Sequence, residues 1–435
     1  LVSELGFVLP YSTARGQREM FRLGTILYDL LAPKWKHRGL SLQEVHRLIP
    51  QLSAPWLAGA YLYYDAVMDD ARMVLRLIQE TCQEGGTALN YARVEKLLTL
   101  RDGTVCGVAL SDQSPTALGS QELRARVVIN AAGPWCDGLR RQVNAPGRLR
   151  PQRGSHLIFP KEKLSLPHAV TLLHPKDGRA MFAIPWEGAT IIGTTDLDHP
   201  SSLDNGEPYC TQAEIDYILE AADAIFPSVK LNQADALSSF AGLRPIIRGS
   251  AADPSAESRA HVVWEENGLI TITGGKFTIF RKMAADALQA AAPRLGVQLN
   301  PLKRYYRALP KQTKPEYSAL NPAELFYLAG RYGPALDTFL STARPAELSP
   351  VGDLPTIRAE LRYAARSESV QHLDDLLLRR TRLGLLLPEG ARAELPTVRE
   401  IAQEELGWED ARWEQEAARY AEIYKRFYSS APAGI

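Results

Sequence analysis

The chain carries 435 residues, 45% of them hydrophobic, with 50 basic side chains against 50 acidic ones. Its length exceeds the roughly 100–200 residues of one domain and predicts two or three domains with a sizeable core, while the even charge balance excludes a nucleic-acid role that depends on a strong positive field. Cys82, Cys106, Cys136 and Cys210 stand too far apart for a metal knuckle or a disulfide framework and read as reduced, buried thiols of a cytosolic-side protein, and no apolar run reaches the ~18–20 residues that cross a bilayer.

The chain opens on Leu1-Val2-Ser3-Glu4-Leu5, with no initiator Met and no signal-peptide layout, and reads as an interior segment. Residues 17–31 place Met20, Leu23, Leu27 and Leu31 at helical spacing, with Phe21 and Tyr28 beside them, and predict a helix with an apolar stripe. In the loop that follows, Lys34, Lys36, His37 and Arg38 surround Trp35, which suits either a solvated loop or a membrane-surface contact. From Asp69 an acidic first turn and a Gly stop bound a helix to about residue 86, which leads into a short strand over 87–94. Two further strands, 94–103 and 104–112, turn at Asp102-Gly103, a hairpin signal. Residues 124–130 form an apolar run of the kind buried on both faces of a parallel sheet; it ends in Ala131-Ala132-Gly133-Pro134-Trp135, and ligands of open α/β sheets bind at such strand ends.

Residues 150–275 supply β-branched and aromatic strands interrupted by a helix near 211–226, which fits a mixed-sheet second lobe. A helix follows Gly275 to about Ala292, and from about residue 302 the pattern is helical to the end, which predicts a separate α-helical domain. The expected units are 1–149, 150–300 (with a return to the first unit over about 235–292) and 301–435. The fold class is α/β with an all-α tail.

Four local constellations carry chemical potential. Gly274-Gly275-Lys276 joins a strand to a helix whose unpaired N–H groups and dipole suit a group that becomes anionic; the plain alternative is a tight turn. Arg244, at the end of an apolar strand and before Pro245, is either a surface ion-pair partner or a fixed fork for phosphate or carboxylate, and Arg248 adds to the same field. His156, after Arg153-Gly154-Ser155, is a structural histidine or a proton acceptor. Gly193-Thr194-Thr195-Asp196 places two hydroxyls and a carboxylate at a strand end, or makes a hydrogen-bonded turn. The sequence shows no metal-ligand cluster, Ser/His/Asp signature, Walker loop or GxGxxG.

In order, these motifs resemble the FAD-dependent glycerol-3-phosphate dehydrogenase family. The resemblance runs through Tyr64-Asp65, Asp69-Asp70-Ala71-Arg72, Asn130 to Trp135, Arg153 to His156 and Ile184-Pro185-Trp186. It continues through Ile191 to Asp196, Gly242-Leu243-Arg244-Pro245, Gly274 to Thr278, Ala359 to Tyr363 and Asp374 to Gly384. It implies a Rossmann-like FAD-binding lobe, a mixed-sheet substrate lobe and a helical C-terminal domain. The family's opening strand, GxGxxG turn and His-Gly-Gly-Leu-Arg-Tyr segment have no counterpart in this sequence, and the resemblance casts the chain as beginning after them.

The implied reaction is oxidation of sn-glycerol 3-phosphate to dihydroxyacetone phosphate by hydride transfer to flavin N5, with electrons passing to a quinone, or to oxygen as in oxidase-type relatives. By resemblance, Arg244 binds the substrate phosphate, with Thr195 beside it, and Lys276 adds positive charge near substrate or flavin. Gly274, Gly275, Lys276, Phe277 and Thr278 face the flavin's pyrimidine edge, and Ala132 and Gly133 line the ADP side. His156 and Asp196 handle protons, in competition with a histidine of the family's N-terminal segment. The same resemblance allows a homodimer and a cytoplasmic protein held peripherally on the inner face of the cell membrane. A flavoprotein amine oxidase of the sarcosine or dimethylglycine type, and a non-catalytic remnant acting as a binding module, are the alternatives.

Overall fold

The computed structural model describes residues 1–32, 36–117, 119–199, 203, 206–249, 260–300, 309, 317 and 319–432. Alternating burial builds the first strand, β1 (Val2–Ser12), in which Gly6, Val8 and Pro10 are buried while Leu5, Phe7 and Leu9 between them are more open. Helix α1 (Gln17–Leu31), β2 (Arg38–Ser41) and α2 (Leu42–Leu48) follow, the last opened by a Ser41/Glu44 capping box. β3 (Leu57–Met68) returns antiparallel along β1, and Asp69 caps α3 (Asp70–Gln83) by accepting from Arg72 N at 3.1 Å.

β4 (Ala92–Thr99), β5 (Val105–Asp112) and β6 (Ser120–Arg124) form a small antiparallel sheet. β7 (Val128–Asn130) and α4 (Cys136–Arg141) lead into β8 (Leu149–Pro160), β9 (Ala169–Leu173), β10 (Ala180–Trp186), β11 (Ala189–Gly193) and β12 (Leu197–Asp198). After α5 (Gln212–Ile225) come β13 (Ser238–Ile247), β14 (His261–Glu266), β15 (Leu269–Gly274) and α6 (Phe280–Leu295). The main sheet has nine strands in the order β12-β8-β11-β10-β9-β1-β3-β2, with β13 also paired to β8. Residues 2–68 therefore share one sheet with residues 149–247. A second sheet runs β14-β15-β7, in which β7 and β15 are parallel.

The period of two along β8 divides the protein. Leu157 and Phe159 enter the core beneath α5, with Ile215, Ile218 and Ala222, whereas Ile158 points the other way into a core built with Leu361, Leu377, Ile401 and Trp413 of the helical part. That part comprises α7 (Pro322–Tyr332), α8 (Leu336–Thr342), α9 (Arg358–Ser367), a π-helical turn at Asp375–Arg380 and two late helices, Leu395–Leu406 and Asp410–Ile423. Charge joins it to the sheet. Arg331 donates to Asp69 at 2.7 Å and Glu360 at 2.8 Å, Arg382 to Asp69 at 2.8 Å and Glu187 at 2.5 Å, and Arg72 grips Glu368 through two bonds.

The helix expected over 17–31 forms; it buries Thr25 and Asp29 and turns the apolar stripe of Met20, Leu23, Leu27, Leu30 and Leu31 outward at 57–78% exposure. Three expectations are corrected. Residues 87–91 form no strand; a single strand starts at Ala92, after Asn90 is tied by its side chain to Ser369 O. The run at 124–130 is not one strand: Arg124 ends β6 and β7 covers only 128–130, where Ile129 is exposed because β15 is the one neighbour β7 has among the described residues. Cys136 and Cys210 are buried free thiols, but Cys82 is exposed on α3 and Cys106 is half-buried on β5. Lys34 and Trp35 lie outside the described residues.

Candidate active site

Cross-strand register assembles one face of the main sheet. His156 on β8 is flanked by Gly193 of β11 and Phe240 of β13, Gly154 lies opposite Gly242, and Gln152 opposite Arg244. Glycines set the height of this surface. A Cβ at Gly193 would stand 2.3 Å from His156 Cδ2, and one at Gly154 would stand 2.2 Å from Arg244 Nη2, so both side chains lie close against the strands. An aromatic row continues across the sheet: Phe182 is paired with Gly193 and meets Phe7 edge-on at 5.9 Å, and Phe7 stacks on Tyr63 at 5.5 Å.

His156 stacks on Phe240 with ring centroids 4.8 Å apart, and its Nδ1 has no protein partner. Burial first, and then the nearby Arg244 guanidinium, lower its pKa to about 4, which keeps the imidazole neutral near pH 7. Arg244 Nη2 donates to Thr194 Oγ1 at 2.9 Å, and Nη1 to Thr195 O at 3.3 Å and Asp196 Oδ1 at 3.2 Å. Asp196 is fully buried between two guanidinium groups, the second being Arg179 at 2.6 Å. Its oxygens aim the arginines rather than face the open side. Thr195 lies beneath the surface, its hydroxyl donating to Glu214 at 2.8 Å and accepting from Ser155 N at 2.9 Å. Arg153 and Ser155 bind the same Glu214 carboxylate.

A second group forms where β15 ends. Gly274 and Gly275 adopt successive left-handed conformations, φ 75° and 74°; a Cβ at Gly274 would stand 2.6 Å from Ala260 O, and at Gly275 2.7 Å from Met283 Sδ. Lys276 then opens a 3₁₀ turn, Phe277–Ile279, whose N-terminus no side chain caps and which runs into α6. Lys276, Phe277 and Thr278 are exposed. At the end of β7, Asn130 holds the turn by donating to Cys136 O at 3.0 Å and accepting from Ala132 N at 3.3 Å. Ala132 borders a cleft of about 1070 Å³ lined also by Ile129, Pro134 and Trp135, and at the adjoining Gly133 a Cβ would meet nothing within 4 Å. Strand β13 joins the two groups, since Ile247 Cδ1 lies 3.1 Å from the Cβ position of Gly274.

These residues fit parts of FAD. The uncapped turn offers backbone N–H groups to a ring edge that gains charge, and the strand end at Ala132-Gly133 lets a flat group approach the backbone. His156, Arg244, Thr195 and Asp196 come together around β8 and β13; Lys276 and its neighbours stand apart, at the end of β15. Residue patterns along the chain did not single out Phe182, Phe7 or Tyr63, which reach the site through strand pairing, or Arg179, which reaches it through Asp196. Among the described residues one triad of metal-type donors, His372, Asp374 and Glu416, lies elsewhere, and its carboxylates are engaged by Arg379, Arg412 and Arg419.

A family model described as "FAD dependent oxidoreductase" matches residues 4–281, and one described as "C-terminal domain of alpha-glycerophosphate oxidase" matches residues 271–413. Glycerol-3-phosphate dehydrogenase 2 of Mycobacterium tuberculosis is 34% identical over 443 residues, covering 97% of this chain and 74% of its own length. The chain belongs to the FAD-dependent glycerol-3-phosphate dehydrogenase family. An aerobic glycerol-3-phosphate dehydrogenase of Staphylococcus aureus is 31% identical, across 82% of this chain and 68% of its own. The crystal structure of the glycerol-3-phosphate dehydrogenase from Bacillus halodurans, complexed with FAD, superposes with a TM-score of 0.75 at 26% identity over 100% of this chain and 84% of that one. This dehydrogenase is thus an FAD enzyme by family, with a mixed sheet and a helical C-terminal domain.

Proposed function

We propose that the chain oxidises the C2 hydroxyl of sn-glycerol 3-phosphate to give dihydroxyacetone phosphate. One observation carries the reading: Arg244 precedes Ile247 by three residues on β13, roughly 10 Å of strand, and Ile247 abuts Gly274. That span suits a three-carbon phosphate held by its phosphate at one end and presenting C2 to the Gly274–Thr278 edge at the other. FAD, when bound, accepts the hydride.

The protein's own residues place charge and protons. Arg244, with Arg179 beside it across Asp196, binds the phosphate, since a guanidinium fork matches phosphate oxygens. Asp196 and Thr194 fix the direction of Arg244, and Thr195 holds the backbone beneath them through Glu214. His156 accepts the C2 hydroxyl proton. Lys276 adds positive charge where the substrate and the flavin edge meet, and the N–H groups of residues 275–278 stabilise charge there. Ala132 and Gly133 border the adenosine side.

Electrons pass on to a quinone, which calls for contact with a membrane. No helix among the described residues is long and apolar enough to cross a bilayer. The outward apolar stripe of α1, with exposed Arg15, Arg18 and Arg22 alongside it, supports peripheral attachment by a helix lying in the interface. Pairing of the same stripe with a second copy would account for a homodimer instead.

The test is kinetic. In the FAD-loaded protein, Arg244→Ala should raise KM for glycerol 3-phosphate far more than for glycerol, because only the first substrate loses a charged partner. Equal losses on both would assign Arg244 to the fold. Oxidation of sarcosine without oxidation of glycerol 3-phosphate would replace this reading by an amine oxidase, and a protein that stays colourless with added FAD would support a binding module.

A further inference from the structure

A cavity of about 390 Å³ lies between α3 and the helical part, away from the active-site face, within the roughly 300–1,000 Å³ usual for small-ligand sites. Leu75, Ile78, Leu89 and Tyr363 make most of its wall apolar. Two charged side chains also line it, and they differ. Both oxygens of Glu368 are taken by Arg72, at 2.7 and 2.8 Å. Arg380, by contrast, donates through Nε to the backbone oxygen of Glu368 at 2.9 Å, and no carboxylate pairs with its guanidinium among the described residues. Burial lowers the pKa of Arg380, and the neighbouring Asp375 and Glu368 carboxylates offset this only in part.

A half-buried guanidinium that makes no direct ion pair among the described residues, its nearest carboxylates Asp375 and Glu368 being held by Arg379 and Arg72, borders a small apolar cavity and has the chemistry of a receptor for an anion with a hydrocarbon body. We propose that this cavity binds a small amphipathic carboxylic acid, its carboxylate on the Arg380 fork and its chain against Leu75, Ile78 and Leu89. The ligand would touch both α3 and the helical part, so its binding would tie the two together. The site is independent of the reaction proposed above.

Octanoate is the probe, and Cys82, which lines the cavity and is exposed, reports its position. At ten times the Kd measured by equilibrium dialysis, octanoate should slow N-ethylmaleimide alkylation of Cys82, followed by site-resolved mass spectrometry, about ten-fold. Octanol at the same concentration should protect far less. Arg380→Gln should abolish octanoate protection and Arg380→Lys should keep part of it. Ile78→Glu, on a side chain 41% exposed, should abolish it with an unchanged melting temperature, because it sets a like charge in the wall without disturbing the core. Equal protection by octanol and octanoate, undiminished protection in Arg380→Gln or Ile78→Glu, or no protection in the parent protein would each overturn the proposal.

Discussion

The Arg244 guanidinium lies over Gly154, close enough that a Cβ there would stand 2.2 Å from Nη2 and 2.4 Å from Nη1. Gly154→Ala should therefore push the fork off its position without touching substrate itself. A displacement near 1 Å at a positioning group costs up to about 100-fold in rate, so kcat/KM for glycerol 3-phosphate should fall by about 10- to 100-fold. Gly242, opposite Gly154 on β13, has nothing within 4 Å of its Cβ position. Gly242→Ala should leave kcat/KM close to the parent value. Equal effects from the two alanines would separate Arg244 from the phosphate.

His156 gives the pH dependence a sign. Its folded pKa, about 4, lies below the ordinary histidine value of 6.5, so the unfolded chain binds the extra proton first as pH falls. Stability from this group is present above about pH 6.5 and is lost between there and about pH 4. His156→Gln should flatten that part of the profile of melting temperature against pH. If His156 is also the proton acceptor, the same change should flatten the acidic limb of kcat/KM. A flattened stability profile beside an unchanged kinetic limb would leave His156 a structural role only.

Arg331 is 2% exposed and holds Asp69 and Glu360 together. Arg331→Met removes the cation and leaves carboxylates in a buried site, so unfolding should become easier by about 3–5 kcal/mol, measured by urea titration. Replacing Arg344, an exposed partner of Glu404, by Met should cost about 1 kcal/mol or less. A small loss at Arg331 would mean that Arg382 alone neutralises Asp69.

The stripe on α1 is open to a flotation assay. Leu23→Glu with Leu27→Glu should release the protein from vesicles that contain anionic lipid, while FAD-dependent turnover with a soluble dye persists. Retained flotation would move the membrane contact elsewhere. A change from dimer to monomer in the same variant would assign the stripe to self-association.

Local patterns carried a good part of the architecture. The helices at 17–31, 70–83 and 212–225 and the hairpin at Asp102-Gly103 rest on periodicity and turn chemistry within a few residues, and these are visible along a chain. Whether an apolar stripe is covered is not local: the spacing of Met20, Leu23 and Leu27 puts them on one face, but only the sheet's position decides that this face looks outward. The site divides in the same way. His156 and Arg244 stand in short motifs that fall inside β8 and β13 rather than at the strand ends their patterns suggested, and Gly274-Gly275-Lys276 does close β15, whereas Arg179 and Phe182 lie beside them through Asp196 and Gly193. Residue spacing also gave no sign that the Thr195 hydroxyl is spent on Glu214, because that bond depends on where α5 comes to rest.

The ties at Asp69 also govern how the molecule is made. Asp69 and Arg331 are 262 positions apart, and Asp69 and Arg382 are 313 apart. At about 5–20 residues per second a ribosome needs on the order of tens of seconds to deliver those partners. Over that interval Asp69 lacks both of the arginines that neutralise it in the folded protein. Such late closure slows folding and lengthens exposure of unpaired strand edges. Yield in cells should therefore respond more to chaperone supply and growth temperature than to inducer level.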